Sequence, residues 1–111
     1  MNSIFGKLFG ASSSLSMQDI YDLVHRDGAV LLDVRTADEY RKGKVHNSIN
    51  IPIDELAERT SELPKDRPII VYCASGGRSS MAHRLLKEKG FEKVHNAKVW
   101  EEVSAALDRR K

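Results

Sequence analysis

The chain has 111 residues, 12.5 kDa, enough to bury one core and too few for two. Its 41% hydrophobic and 31% charged residues are those of a globular domain, and no run reaches the roughly 18 apolar residues that a membrane span requires. The formal charge of +2 arises from interspersed signs, which disfavours nucleic acid as a main partner and leaves room for a small anion.

In chain order, Ile4, Phe5, Leu8 and Phe9 share the spacing of one helical face. Residues 1–15 therefore read as a short amphipathic segment or a tail joined through the serines at 12–14. With one lysine and an apolar run broken by Gly6 and Lys7, they do not make a signal peptide. Residues 16–111 read as the domain proper.

Ser16 followed by Asp19 is a capping signal for a helix carrying Met17, Ile20, Leu23 and Val24. "AVLLDV" and "IIVY" are short, continuously apolar runs, the pattern of strands buried on both faces. Between them, Thr36 and Glu39 form a second capping box for a helix that Gly43 ends. "SINIPI" gives a brief strand, and a further helix runs from Asp54 to about Glu62. After "IIVY" a helix is expected from Ser79, with Met81, Ala82, Leu85 and Leu86 inward, His83 outward and Gly90 as its stop. "FEKVHN" supplies a last strand, and "VWEEVSAALDRR" a terminal helix with Val99, Trp100, Val103, Ala106 and Leu107 inward. Lys65, Asp66 and Arg67 read as a solvated turn. The alternation predicts a three-layer α/β fold with a mainly parallel central sheet flanked by helices.

In such folds ligands bind beyond the carboxyl ends of the strands, where Asp33, Arg35 and Cys73 fall. Cys73 is the chain's one cysteine, so it acts as a thiol, a thiolate or a modified sulfur, and a reducing compartment, the cytoplasm, is its simplest home. A lone cysteine after a strand is often only a small buried hydrophobe. The six residues after it, Ala74, Ser75, Gly76, Gly77, Arg78 and Ser79, argue otherwise. Small residues let successive N–H groups converge at a helix start, a geometry that holds an anion and lowers a thiol pKa. Arg78 can pair with a donor anion or fasten the loop to a carboxylate. Asp33 is an inward acid for Arg35 or Arg78, and Ser75 and Ser79 are hydrogen-bond donors to the sulfur unless Ser79 merely caps the helix. The four histidines have no ligand-like spacing, so neither metal nor cofactor is expected.

"CASGGRSS" resembles the active-site loop of the rhodanese family, C-x-S-G-x-R-S, matched by Cys73, Ser75, Gly76, Arg78 and Ser79. "LLDVRTADEYRKGKVHNSINIPI" is similar to that family's first signature, through the D-V-R strand end, Glu39, Tyr40, Gly43 and the "INIP" strand, and the likeness covers roughly residues 16 to 107. The resemblance implies a thiosulfate sulfurtransferase: Cys73 takes a sulfane sulfur from a small anionic donor and passes it, as a persulfide, to cyanide, a thiol or a protein acceptor. Two departures stand out. Lys44 occupies the family's usual histidine position, and Lys98 and Val99 replace its glycine pair at the pocket rim. A non-turnover sulfur carrier or protein-binding module is the rival reading. A phosphatase or arsenate reductase of the same architecture is disfavoured, because the six residues from Cys73 to Arg78 are one fewer than such loops carry.

Overall fold

The computed structural model describes residues 15–108. The elements are α1 (Met17–His25), β1 (Val30–Asp33), α2 (Ala37–Lys42), β2 (Ile49–Asn50), α3 (Ile53–Arg59), β3 (Ile69–Cys73), α4 (Gly77–Glu88), β4 (Val94–Val99) and α5 (Trp100–Leu107), with a 3₁₀ turn, Thr60–Glu62, after α3. Apart from Leu15, the expected N-terminal segment lies outside the described residues, as does the chain beyond Asp108.

The strands form one sheet in the order β2-β1-β3-β4, and every pairing is parallel. Alternation explains why β1 and β3 are apolar throughout. Val30, Leu32, Ile69, Val71 and Cys73 face one core, completed by Leu56 of α3 and Ala82 and Leu86 of α4. Leu31, Ile70 and Tyr72 face the other, completed by Ile20 of α1 and Val103 and Ala106 of α5. A strand covered on both sides has no solvent face on which a polar residue would be stable. The three-layer α/β fold read from the sequence is thus observed.

Both capping boxes form. Ser16 Oγ accepts from the Asp19 N–H at 2.9 Å, and Thr36 Oγ1 from the Glu39 N–H at 3.1 Å. Four expectations are corrected. Helix α4 starts at Gly77 rather than Ser79, so Ser79 is not its cap. Instead, Ser79 lies in the first turn, buried, and donates to the Gly76 carbonyl at 3.1 Å. Met81 is 57% exposed, because the buried stripe of α4 is the narrow one made by Ser79, Ala82 and Leu86. His83 is half-buried rather than outward. Its burial pushes the imidazole below its ordinary value, against a hydrogen bond with the Val94 backbone. Strand β4 also starts later than "FEKVHN" suggests and extends to Val99, which ends a strand instead of lining a helix.

Candidate active site

Cys73 is the last residue of β3, and the chain turns over its sulfur directly into α4. Gly76 sits at φ +111°, in the left-handed region that glycine enters without a Cβ penalty, and caps the helix with its backbone alone. That turn points the Gly76 N–H at Cys73 Sγ, 3.0 Å away, and brings the Ser79 N–H to 3.4 Å. The thiol is 1% exposed, and burial pushes it up. The N–H groups of Ser79, Gly76 and Ser75, with help from the Ser79 hydroxyl, outweigh that cost and hold it below its ordinary value. Helix α4, twelve residues long, adds the positive end of its dipole at the same point. The loop is therefore built to stabilise negative charge on sulfur. Ala74, Ser75 and Gly77 are exposed on its outer side.

Arg78 is joined to a partner 39 residues back in the chain. Its Nη1 and Nη2 donate to Glu39 Oε1 at 2.7 Å and Oε2 at 3.1 Å. Of the two roles open to it, fastening the loop is the one the geometry supports. Glu39 also accepts from the Thr36 N–H at 2.9 Å, and the Arg78 guanidinium followed by that N–H holds its carboxyl at about 2. In the sequence Glu39 reads as a capping residue and as part of the first signature, and neither reading names Arg78 as its partner, because the two lie 39 residues apart.

Asp33 pairs with Arg35, not with Arg78. Arg35 donates from Nε to both carboxylate oxygens at 3.0 Å and from Nη2 to Oδ2 at 2.8 Å, while its backbone N–H reaches Oδ1 at 2.9 Å. The same Nη2 reaches the Gly43 carbonyl at 2.6 Å, and the guanidinium lies 4.5 Å from the Trp100 ring centre. Alternation along β1 places Asp33 on the sheet face opposite Cys73, so this pair does not touch the loop. It fixes Gly43, where an added Cβ would lie 3.0 Å from the Trp100 ring. Lys44 sits over the Tyr40 ring at 5.3 Å. Lys98 does flank the loop, with its stem beside Gly76. Among the described residues no three His, Cys, Asp or Glu side chains are grouped to hold a metal ion, and no helix is long and apolar enough to cross a membrane.

The sequence model of the Rhodanese-like domain family matches residues 16–99, which include the whole loop. The chain belongs to the rhodanese-like family. A sulfurtransferase from Allochromatium vinosum is 35% identical over 85 residues, 77% of this chain and 76% of that protein. A putative sulfur carrier protein from Bacillus subtilis, YrkF, is 42% identical over 66 residues, 60% of this chain but only 36% of that longer protein. A solved rhodanese-related protein from Thermoplasma volcanium is 32% identical and superimposes with a TM-score of 0.71, covering 86% of this chain and 92% of that one. This rhodanese-like domain thus has sulfur-handling relatives, and its lone cysteine occupies an anion-stabilising loop.

Proposed function

We propose that this rhodanese-like protein is a sulfurtransferase in which Cys73 carries the transferred sulfur, with thiosulfate as the simplest donor. The observation that supports the reading best is the pair of N–H groups, Gly76 and Ser79, directed at a thiol held below its ordinary pKa. The Cys73 thiolate attacks the outer sulfur of thiosulfate. A sulfur–sulfur bond forms to Cys73, the donor's sulfur–sulfur bond breaks, and sulfite leaves with the electron pair. The persulfide is an anion, which the same N–H groups stabilise as an oxyanion hole stabilises oxygen. A thiophilic acceptor, cyanide or a thiol, then attacks the outer sulfur and Cys73 leaves as thiolate. Arg78 and Glu39 hold the loop in shape, and Asp33 and Arg35 tie the end of β1 to Gly43. A thiol that must stay reduced between turnovers suits the cytoplasm.

Treatment with thiosulfate is expected to add the mass of one sulfur atom to the intact protein, and Cys73→Ser to abolish the gain. An unchanged wild-type mass with several sulfane donors would overturn the reading. The likeness to a putative sulfur carrier favours one alternative, in which the persulfide is handed to a protein partner without turnover on cyanide. That reading predicts the same mass gain with no thiocyanate produced.

A further inference from the structure

Three donors converge on the carbonyl of Gly76, whose oxygen has two lone pairs. The Ser80 N–H reaches it at 3.0 Å, the Ser79 hydroxyl at 3.1 Å and the Ser80 hydroxyl at 2.9 Å. The Ser80 hydroxyl is tied to a second element as well, because Asn96 Nδ2 of β4 donates to its oxygen at 3.2 Å. Alternation places Asn96 for this: Val94 packs in the core on the Cys73 side, and Asn96, two residues on, shares that face with α4. The other end of the amide is also engaged. Strand β4 bulges after Asn96, so that Tyr72 pairs with Lys98 rather than Ala97, and Cys73 with Val99. Lys98 takes φ +73°, a left-handed conformation that costs an ordinary residue about 1–2 kcal/mol, and its N–H donates to Asn96 Oδ1 at 3.0 Å. A backbone N–H can only donate, so the atom it meets is the amide oxygen, which leaves Nδ2 for Ser80. The bulge also sets the Lys98 stem against the same glycine, its Cβ 3.5 Å from where a Cβ on Gly76 would sit. Gly76 is the residue whose N–H meets Cys73 Sγ.

We propose that Asn96 is a positioning residue of the Cys73 site: through Ser80 it ties the Gly76 turn to the sheet, so that the Gly76 N–H stays on the sulfur. A glycine at φ +111° and ψ −18° has no Cβ to restrict it, so its conformation is set by what holds its carbonyl. The Ser80 N–H and the Ser79 hydroxyl hold that carbonyl to α4 alone. The Asn96–Ser80 link holds it to β4, the strand paired with β3, at whose end Cys73 sits. N–H donor and sulfur thereby share one frame. The bonds also run in one direction, from Asn96 Nδ2 to Ser80 Oγ to the Gly76 carbonyl, so each strengthens the next. The local alternative gives Asn96 only the bulge, with its Oδ1 closing a short turn onto Lys98 and Ser80 incidental. A hydrogen bond to a charged group is worth about 1–2 pH units, so loosening the Gly76 bond without removing it is expected to raise the thiol midpoint by about 0.5–1 unit. Holding a persulfide at this site rests on the sulfur-transfer reading, whereas the positioning requires only the thiol.

The test measures the rate of Cys73 alkylation by iodoacetamide against pH, together with thermal melts, in the wild type, Ser80→Ala, Ser80→Thr, Asn96→Ala and the S80A/N96A double variant. None of these substitutions changes a charge, so Arg78, Glu39 and Lys98 are the same in every protein compared. S80A is expected to raise the midpoint by about 0.5–1 unit, which is about three- to ten-fold less thiolate below the midpoint. It is expected to unfold at no lower temperature, because alanine is the best helix former, whereas a merely structural contact would lower the melting temperature and leave the midpoint in place. S80T keeps the hydroxyl and returns the midpoint to that of the wild type. N96A raises it too, and the double variant raises it no further than the larger single effect, as two members of one chain of bonds require. Should N96A not fold, S80A and S80T alone decide. An unchanged midpoint in S80A, or shifts that add in the double variant, overturns the assignment of Asn96, and with the wild-type mass gain from thiosulfate intact it leaves the sulfur-transfer reading standing. No sulfur uptake from any donor, with the midpoint still raised in S80A, overturns the sulfur-transfer reading and upholds Asn96.

Discussion

Replacing Glu39 by Gln tests whether the active loop is held by a charge 39 residues away. Gln suits the third position of a capping box, so it keeps an acceptor for the Thr36 N–H and removes mainly the ion pair with Arg78. Depression of the Glu39 carboxyl from 4.5 to about 2 would correspond to about 3 kcal/mol at about 1.4 kcal/mol per unit. The two side chains are 32% and 37% exposed, and solvent screening reduces this to about 1–1.5 kcal/mol. That loss lowers the melting temperature by roughly 4–10 °C for a domain of this size. Linkage sets the sign with pH: the folded value is depressed, so the contribution is complete above about pH 4.5 and disappears as pH falls toward 2. Urea unfolding at neutral pH and near pH 3 supplies the measurement. Wild type is expected to lose more stability than E39Q on acidification, and a cycle with Arg78→Met to give a coupling near 1 kcal/mol. A coupling below about 0.3 kcal/mol, or equal acid losses in the two proteins, would refute the claim that this pair fastens the loop.

The loop itself sets two further outcomes. The rate of Cys73 alkylation against pH is expected to have its midpoint below the ordinary thiol value of 9.0, because the N–H groups of Ser79 and Gly76 outweigh burial; a midpoint at or above that value would contradict it. Adjacent glycines are expected to respond in opposite directions. Gly76→Ala, at φ +111° with the Lys98 stem 3.5 Å away, costs about 1–2 kcal/mol and raises the thiol midpoint. Gly77→Ala, helical and with nothing within 4 Å, stabilises by up to about 1 kcal/mol; thermal melts of the pair distinguish these cases, and equal effects would show the turn to be misassigned.

The features legible in the sequence are those whose causes are local. The capping boxes at Ser16 and Thr36 each close within three residues, and the apolar runs of β1 and β3 declare two-sided burial without reference to any neighbour. Cys73 and its glycines carry the loop chemistry for the same reason. The start of α4 is not legible, because Gly77 and Arg78 carry no cap signal, the cap being Gly76 backbone in a left-handed turn. The settings of Met81 and His83 are hidden because the width of a helix's buried stripe depends on what packs against it, and here the packing surface admits Ser79 while leaving Met81 in water. Arg78 finding Glu39, and the bulge that delivers Lys98, depend on strands brought together by the whole fold.

The two ion pairs together explain why one signature accompanies the other. Helix α2 has six residues and none of them is buried, so the core does not hold it. Its first turn is tied by Glu39 to Thr36 and Arg78, and its far end by the Gly43 carbonyl accepting from Arg35. Tyr40, between them, donates to the Ser48 carbonyl at 2.8 Å. A buried ion pair such as Asp33–Arg35 is seldom a net source of stability, but one whose oxygens and guanidinium are hydrogen-bonded from several sides is hard to distort. Its effect is to set where α2 ends, which sets where Glu39 begins, which sets Arg78 and the turn that aims the Gly76 N–H at Cys73. The D-V-R and acidic positions thus act on the sulfur without touching it, and disturbing either is expected to change the thiol's environment before it changes the fold.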